Sequence, residues 1–260
     1  MAATGTHVFL CDDDMEVTPR YLSLLAEHLA RNPDTGALTG VIAEPDTNGE
    51  YSSDFCVLPL RTLLWNTLFQ LTVWADVSRT PMPALLRRPL RAWYARRGNT
   101  FTLAGWPLVT EVSEPVTRCA VFGLGASLIA REWLRASPYD EALGPHGIGD
   151  NYGVALGFPA ERPITVLRDA TILHHKVPGN RLTAQSAHVL RILALRRFRK
   201  QRGLYTPWSA AWLLWSLLGN GIRFLLQGNS VMLRATMKTA RILLFTARDE
   251  DILRDERPFR

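Results

Sequence analysis

Three adjacent carboxylates, Asp12, Asp13 and Asp14, come directly after the short apolar run His7–Cys11. Carboxylates this close repel one another, so the cluster is costly unless a cation or hydrogen-bond donors compensate for the charge. Divalent cations prefer oxygen ligands, and Mg²⁺ typically uses one or two carboxylates together with substrate phosphates. The pattern therefore indicates either a metal site that takes a diphosphate or an acidic turn exposed to solvent.

Two further polar groups could take part in the same chemistry. Glycines place Asp150 and Asn151 at the start of a predicted helix, where a carboxylate could be a general base or only a helix cap. His174 and His175 end an apolar run, and successive residues of a strand face opposite sides of a sheet. Only one of the two imidazoles can therefore face a site at that end. That imidazole could be a metal ligand or could have only a structural role.

The elements that must position these residues begin with an α/β pattern. The apolar run before the carboxylates is too short for a helix and is predicted as a strand. A helix is predicted to begin with Thr18 as its N-cap and Pro19 in its first position, and to end near Asn32. A second buried strand follows over Ala37–Pro45, which gives an α/β unit. Ligands of open α/β sheets bind beyond the carboxyl ends of the strands, so the acidic turn lies where a site is expected.

The middle of the chain is predicted to mix helices and short strands. Val57–Ala75 has the pattern of an amphipathic helix, and the prolines of the basic stretch after it are expected to break that stretch into short pieces. Strand-like runs cover Phe101–Val109 and Val116–Ala130, with a helix start after them. Ile164–Lys176 is predicted as two short strands that end at the paired histidines.

The sequence changes character near residue 183, so we predict an α/β part over residues 1–182 and a helical tail over residues 183–260. Arg191–Arg202 contains six basic residues and no acid, and Trp208–Leu226 is rich in tryptophan and leucine. Glycine and polar residues interrupt the second run. They favour an interfacial or re-entrant helix, or a buried pair of ordinary helices, over a clean membrane span.

The composition of the 260-residue chain indicates which classes of partner it could bind. The formal net charge is +6, and Arg79–Arg97 forms a second basic block without acids. Such blocks indicate an anionic partner, such as phosphates or the acidic headgroups of a membrane surface. The aromatic residues lie among apolar ones and form no stacking motif, so nucleic acid is not expected. Three distant cysteines and the lack of a signal peptide at the start favour a reducing compartment, on the cytoplasmic side of a membrane.

The order of these polar groups resembles that of family 2 glycosyltransferases with the GT-A fold. FLCDDDMEVTPRYL is similar to the family's strand, D-x-D motif, turn and helix, and VFGLGASLIAREWL is similar to the segment that leads to its acidic motif. The resemblance covers roughly residues 6–182. It implies the C-terminal part of a GT-A, Rossmann-like domain, followed by membrane-associated helices.

The resemblance also implies roles for individual residues. Asp12 and Asp14 would be the D-x-D pair and, with His174 or His175, would hold Mg²⁺ or Mn²⁺. Asp150 would be the catalytic base. The implied substrate-binding residues are Asp13, Gly123, Gly125, Ser127 and Asn151. The implied reaction transfers a sugar from a nucleotide-diphosphate sugar to a saccharide or lipid-linked acceptor near a membrane, as in polysaccharide biosynthesis.

Two departures from the family bear on this assignment. Asn151 and Gly153 replace the later acids of the family's acidic motif, so Asp150 alone remains to supply the base. The family also carries its nucleotide-binding strands before the D-x-D motif, and only a few residues precede it in this sequence. We therefore expect that half to be missing or to come from a separate chain. A non-catalytic relative that binds a membrane surface remains the alternative from a different class.

Overall fold

The computed structural model describes residues 3–46, 48–52, 57–111, 114–143, 146–159, 164–175 and 182–245. These residues form a mixed α/β structure. Its strands are β1 (His7–Cys11), β2 (Met15–Val17), β3 (Ala37–Pro45), β4 (Tyr51–Ser52), β5 (Val73–Trp74), β6 (Leu108–Val109), β7 (Val116–Cys119), β8 (Ala126–Ala130) and β9 (Ile164–His174). Its α-helices are α1 (Tyr21–Arg31), α2 (Leu60–Leu68), α3 (Ala84–Arg97), α4 (Arg131–Ala136), α5 (Asp150–Ala155), α6 (Ala184–Gln201), α7 (Pro207–Leu226) and α8 (Ser230–Phe245).

A seven-stranded sheet sets the direction of the elements that carry the polar groups. Its main order is β1–β8–β3–β9–β2, with β4 beside β3 and β7 beside β9. β8 is antiparallel to both β1 and β3, and β9 is parallel to β3. β1, β3 and β9 therefore all run in one direction. Their carboxyl ends and the amino end of β8 consequently lie at the same edge of the sheet.

β9 is one 11-residue strand and not the two short strands that the sequence predicts. Its first half pairs with β7 and its second half with β2. The register against β3 shifts between Gly40 and Val41, which accommodates the exposed polar residues Arg168 and Asp169. A Cβ on Gly40 would lie 2.1 Å from the carbonyl oxygen of Ala170, so glycine is required at this close approach.

α1 packs against one face of the sheet through a small core. This core contains Tyr21, Leu25, Leu38, Ala126, Leu167, Ala170 and Ile172. The Tyr21 hydroxyl donates to the carbonyl of Ala126 and accepts from the amide of Gly40. One phenol thereby fixes α1 to both β8 and β3, directly behind the edge where the acidic turn lies.

Several predicted helix boundaries are wrong. The hydroxyl of Thr18 donates to the carbonyl of Thr171 and does not cap α1, which begins later, at Tyr21. α2 ends at Leu68, well before the predicted end at Ala75, because Gln70 adopts a left-handed conformation with φ of 53°.

α3 is one 14-residue helix, although its prolines predict short pieces. Pro89 lies inside it and, without an N–H, leaves the carbonyl of Leu85 without its usual helical hydrogen bond. Leu85 is 86% exposed, so water can solvate that carbonyl.

The predicted tail helices are present and share a core with the sheet. Residues of β8, such as Ile129, belong to the same buried cluster as Leu193 of α6 and Leu217 of α7. The indole N–H of Trp106 donates to the Ser216 hydroxyl of α7 at 3.0 Å, and both side chains are buried. The helices after residue 183 therefore pack directly against the α/β part, although the composition of the sequence changes there. No helix in the described ranges is long and apolar enough to cross a membrane.

Candidate functional site

The acidic turn lies at the edge of the sheet where β1, β3 and β9 end. The Asp12 amide donates to the carbonyl of Gly125 at 2.7 Å, and the Met15 amide closes the turn by donating to the Asp12 carbonyl at 3.2 Å. The His175 amide donates to the Asp14 carbonyl at 3.0 Å. The main chain of the turn is thus held from both sides, by the loop before β8 and by the end of β9.

His174 lies between two carboxylates at this edge. Its Nε2 is 3.2 Å from Oδ2 of Asp14, and its Nδ1 is 3.2 Å from Oε1 of Glu44. Glu44 is near the carboxyl end of β3, and sequence reasoning missed it. Its only signal is an acid at the end of a strand that proves to be parallel to β1.

His175 faces the opposite way, as the alternation along a strand requires. Its Nε2 is 3.0 Å from Oε2 of Glu16, and its Nδ1 is 2.6 Å from the hydroxyl of Tyr51. Of the two histidines predicted as alternatives, the structure brings His174 to Asp14.

Asp150 begins α5 after two glycines with positive φ, Gly147 at 56° and Gly149 at 96°. Its amide donates to the Gly147 carbonyl at 2.9 Å, and its Oδ1 accepts from the amide of Asn151 at 2.6 Å. Burial raises the pKa of Asp150 to about 6, and the negative charge of Asp12 contributes in the same direction. The candidate base therefore lies within electrostatic reach of the acidic turn, more than 130 residues away in the sequence.

Burial and the charges of the acidic turn raise the pKa of nearby groups. Burial raises the pKa of Asp12, and the charges of Asp14 and Asp13 raise it further. Burial likewise raises the pKa of Tyr139, with contributions from Asp150 and Asp12. Tyr139 therefore lies within electrostatic reach of the site, and nothing in its local sequence distinguishes it.

The loop predicted to bind substrate, from Gly123 to Ser127, packs closely against the acidic turn and the sheet. A Cβ on Gly125 would lie 2.2 Å from Oδ2 of Asp12, and a Cβ on Gly123 would lie 2.7 Å from Cδ1 of Ile42. Ser127 is fully buried and its hydroxyl donates to the Gly123 carbonyl at 3.4 Å, so the structure does not bring it to the open site.

Asn151 and Gly153 replace two acids expected in the motif that begins at Asp150, and both have structural roles. Oδ1 of Asn151 accepts from the amide of Leu124 at 3.1 Å, which joins α5 to the glycine loop. A Cβ on Gly153 would lie 2.3 Å from Cζ of Phe198 in α6. A carboxylate at position 153 does not fit in this packing.

The residues at the edge fit a divalent cation in part. In the described ranges, no group of three or more His, Cys, Asp or Glu side chains is arranged to hold a metal ion. Neighbouring ligands of octahedral Mg²⁺ lie about 3.0 Å apart, and the Asp14 and His174 atoms are 3.2 Å apart. An Mg²⁺ ion that also binds water and substrate phosphate needs only one or two carboxylates, and Asp14 supplies one of them.

The second ring nitrogen of His174 supports the same fit. Metal-binding histidines almost always donate their other N–H to a carboxylate, a backbone carbonyl or water, which fixes the ring. Glu44 is in position to accept that hydrogen bond. Comparison with known proteins adds no family to this picture, because no protein-family model and no curated protein matches the chain.

Proposed function

We propose that this edge of the sheet carries out metal-assisted transfer of a sugar from a nucleotide-diphosphate sugar to the hydroxyl group of a saccharide or lipid-linked acceptor near a membrane. The observation that carries the proposal is the contact of Asp14 with His174 at the strand ends, with Asp12 in the same turn and Asp150 within electrostatic reach of Asp12. The resemblance to GT-A glycosyltransferases of family 2 supplies the reaction class. The acids and the histidine supply the chemistry.

Asp14 and His174 would hold Mg²⁺ or Mn²⁺, with Asp12 beside them. When bound, the ion offsets the negative charge of the donor's diphosphate. Glu44 would keep Nε2 of His174 directed at the ion through its bond to Nδ1. His175, paired with Glu16 and Tyr51, would take no part.

Asp150 would accept the proton of the acceptor hydroxyl. A general base works best when its pKa is close to the operating pH, because it is then ionised and still basic. The pKa of Asp150, raised to about 6 by burial and by Asp12, meets this condition at neutral pH. The bond from the Asn151 amide to Oδ1 leaves Oδ2 as the oxygen that receives the proton.

Calorimetric titration with Mn²⁺ tests the metal site separately from catalysis. Asp14→Asn should weaken Mn²⁺ binding by about tenfold or more, because it removes a direct ligand. Asp34→Asn is the matched control, since this exposed acid precedes β3 at the opposite edge of the sheet. Equal affinity in wild type and Asp14→Asn would remove the metal from the proposal.

Transfer from a radiolabelled nucleotide-diphosphate sugar, measured with the nucleotide-binding half supplied as a separate chain or a fusion, tests the base. Asp150→Asn should abolish turnover while sparing Mn²⁺ affinity. Turnover by this variant at the wild-type rate would exclude Asp150 as the base.

One chain of a split glycosyltransferase is a second candidate, and the edge of β1 favours it. Among the described residues β1 pairs only with β8, so its other side has backbone groups open to a further strand. A chain that adds a strand here could supply the nucleotide pocket. Donor affinity should then be no better than about millimolar alone and rise sharply on adding that chain. Vesicle binding without any Mn²⁺ or donor binding would instead favour a non-catalytic relative at the membrane surface.

A further inference from the structure

An open cleft lies between α2 and the C-terminal end of α7, in a different part of the molecule from the acidic turn. Its volume is about 390 Å³, and it is lined by Arg61, Thr62, Trp65, Arg223, Leu226 and Gln227. No acid is among these residues. A cleft with two guanidinium groups and no carboxylate is suited to an anion.

The walls of the cleft are fixed by aromatic packing. The ring centroids of Trp65 and Phe69 are 4.6 Å apart, and Phe69 stacks on Trp215 of α7 at 5.0 Å. The Trp215 indole N–H donates to the carbonyl of Leu68 at 2.8 Å. A Cβ on Gly219 would lie 2.3 Å from Cγ of Phe69, so glycine allows the two helices to approach this closely. The cleft is therefore formed before any ligand binds.

The donors of the cleft are unused within the described part of the chain. Neither the Arg61 nor the Arg223 guanidinium has an ion pair or side-chain hydrogen bond there. Phosphate is a good match, because its oxygens accept from several donors and arginine binds it in a bidentate manner.

The surface beside the cleft is apolar along the whole length of α7. Trp208, Trp215, Leu218 and Leu225 are spaced by seven, three and seven residues, which places them on one helix face, and all are exposed. Leu226, which lines the cleft, is 77% exposed. An anion that fits this surface therefore carries apolar chains next to its phosphate.

We propose that the α2–α7 cleft binds the phosphate headgroup of an anionic membrane lipid, with α7 lying along the bilayer surface. The arginines contact the phosphate while the apolar face of α7 enters the interface between headgroups and acyl chains. The site uses none of the residues of the acidic turn. It can therefore be present whether or not the sugar chemistry proposed above is correct.

Co-sedimentation of the full chain with vesicles tests the proposal. Vesicles of phosphatidylcholine with phosphatidylglycerol should bind more strongly than phosphatidylcholine alone. The double variant Arg61→Gln, Arg223→Gln should bind the anionic vesicles about 25-fold more weakly, because each cation near an anionic surface contributes roughly fivefold. The matched control, Arg20→Gln with Arg135→Gln, removes the same charge from exposed positions outside the cleft and should change binding by less than about twofold.

Each other outcome would overturn the proposal. Equal losses in the two double variants would mean that general charge, and not the cleft, attracts the vesicles. Wild-type binding by Arg61→Gln, Arg223→Gln, or no vesicle binding by the wild type, would remove the lipid site. Displacement of the vesicles by glycerol 3-phosphate at comparable concentrations would identify a soluble phosphate as the ligand instead of a lipid.

Discussion

Replacing Asp150 by asparagine should stabilise the protein, and only at pH values above about 4. Burial, with a smaller contribution from Asp12, raises the pKa of Asp150 from 3.8 to about 6. Between these two values the folded state holds a proton that the unfolded state has released. The free energy of unfolding of the wild type therefore falls as pH rises through this window, and above about pH 6 the full penalty of the buried charge is present.

The magnitude follows from the shift. Two pKa units correspond to at most about 3 kcal/mol, since one unit is worth about 1.4 kcal/mol. Asp150 is partly accessible to solvent, which reduces this to roughly 1–3 kcal/mol. Asp150→Asn removes the charge and keeps an oxygen that can accept from the amide of Asn151. For a chain of this size, a gain of about 2 kcal/mol raises the melting temperature by about 4–8 °C.

Urea unfolding followed by tryptophan fluorescence, at about pH 8 and about pH 4, measures the difference. The variant should be more stable at the higher pH and equal to wild type at the lower one. A variant that is no more stable at the higher pH, or equally stabilised at both, would refute the reasoning about this carboxyl group.

Asp140→Asn should change the stability in the opposite direction to Asp150→Asn. Burial raises the pKa of Asp140, but hydrogen bonds from Arg197, the Ala142 amide and Gln201 outweigh it, so the net shift is downward. The ion pair of Asp140 with Arg197, at 2.7 Å, should therefore contribute stability above the unfolded-state pKa that is lost as pH falls. This variant should be destabilised at the higher pH, and the loss should shrink in acid.

Two further predictions concern the support of the metal site. Glu44→Gln should weaken Mn²⁺ binding by about 10–100-fold, because His174 loses the carboxylate that orients it; unchanged affinity by calorimetry would contradict this role. Gly125→Ala should also weaken Mn²⁺ binding, because its Cβ would occupy the position of the Asp12 carboxylate, whereas Gly221→Ala, with only an ordinary contact at 3.8 Å, should leave it unchanged. Equal effects of the two alanines would show that the close approach is unimportant.

Sequence patterns predicted two strands at the site, β1 and β3, better than they predicted β9 and the surrounding helices. The structure confirms His7–Cys11 and Ala37–Pro45 as strands with the predicted bounds. Short apolar runs bounded by polar residues have few alternatives, so their ends are visible in the sequence. Helix ends near Thr18 and Gln70 depend on contacts with distant segments, and no local pattern contains those contacts.

Some residues of the site could likewise be identified from local sequence, whereas others depend on the tertiary structure. The acidic turn and the paired histidines could be identified because polar groups at the ends of apolar runs stand out, and Asp150 because glycines place it at the start of a helix. The choice of His174 over His175 and the role of Glu44 depend on strand order and register. Tyr139 comes within electrostatic reach of the site through the path of the chain between α4 and α5.

Ligand binding at the two proposed sites should respond differently to added cations, because the charges of the two sites differ in sign. Asp12, Asp13, Asp14, Glu44 and Asp150 gather negative charge at one edge of a chain whose formal net charge is +6. A diphosphate cannot approach that edge favourably unless a cation is bound there first. The α2–α7 cleft already carries its own cations, so added salt only screens its attraction for an anion. Mn²⁺ should therefore promote the binding of a nucleotide diphosphate at the first site. Vesicle binding at the second site needs no metal and should weaken as ionic strength rises.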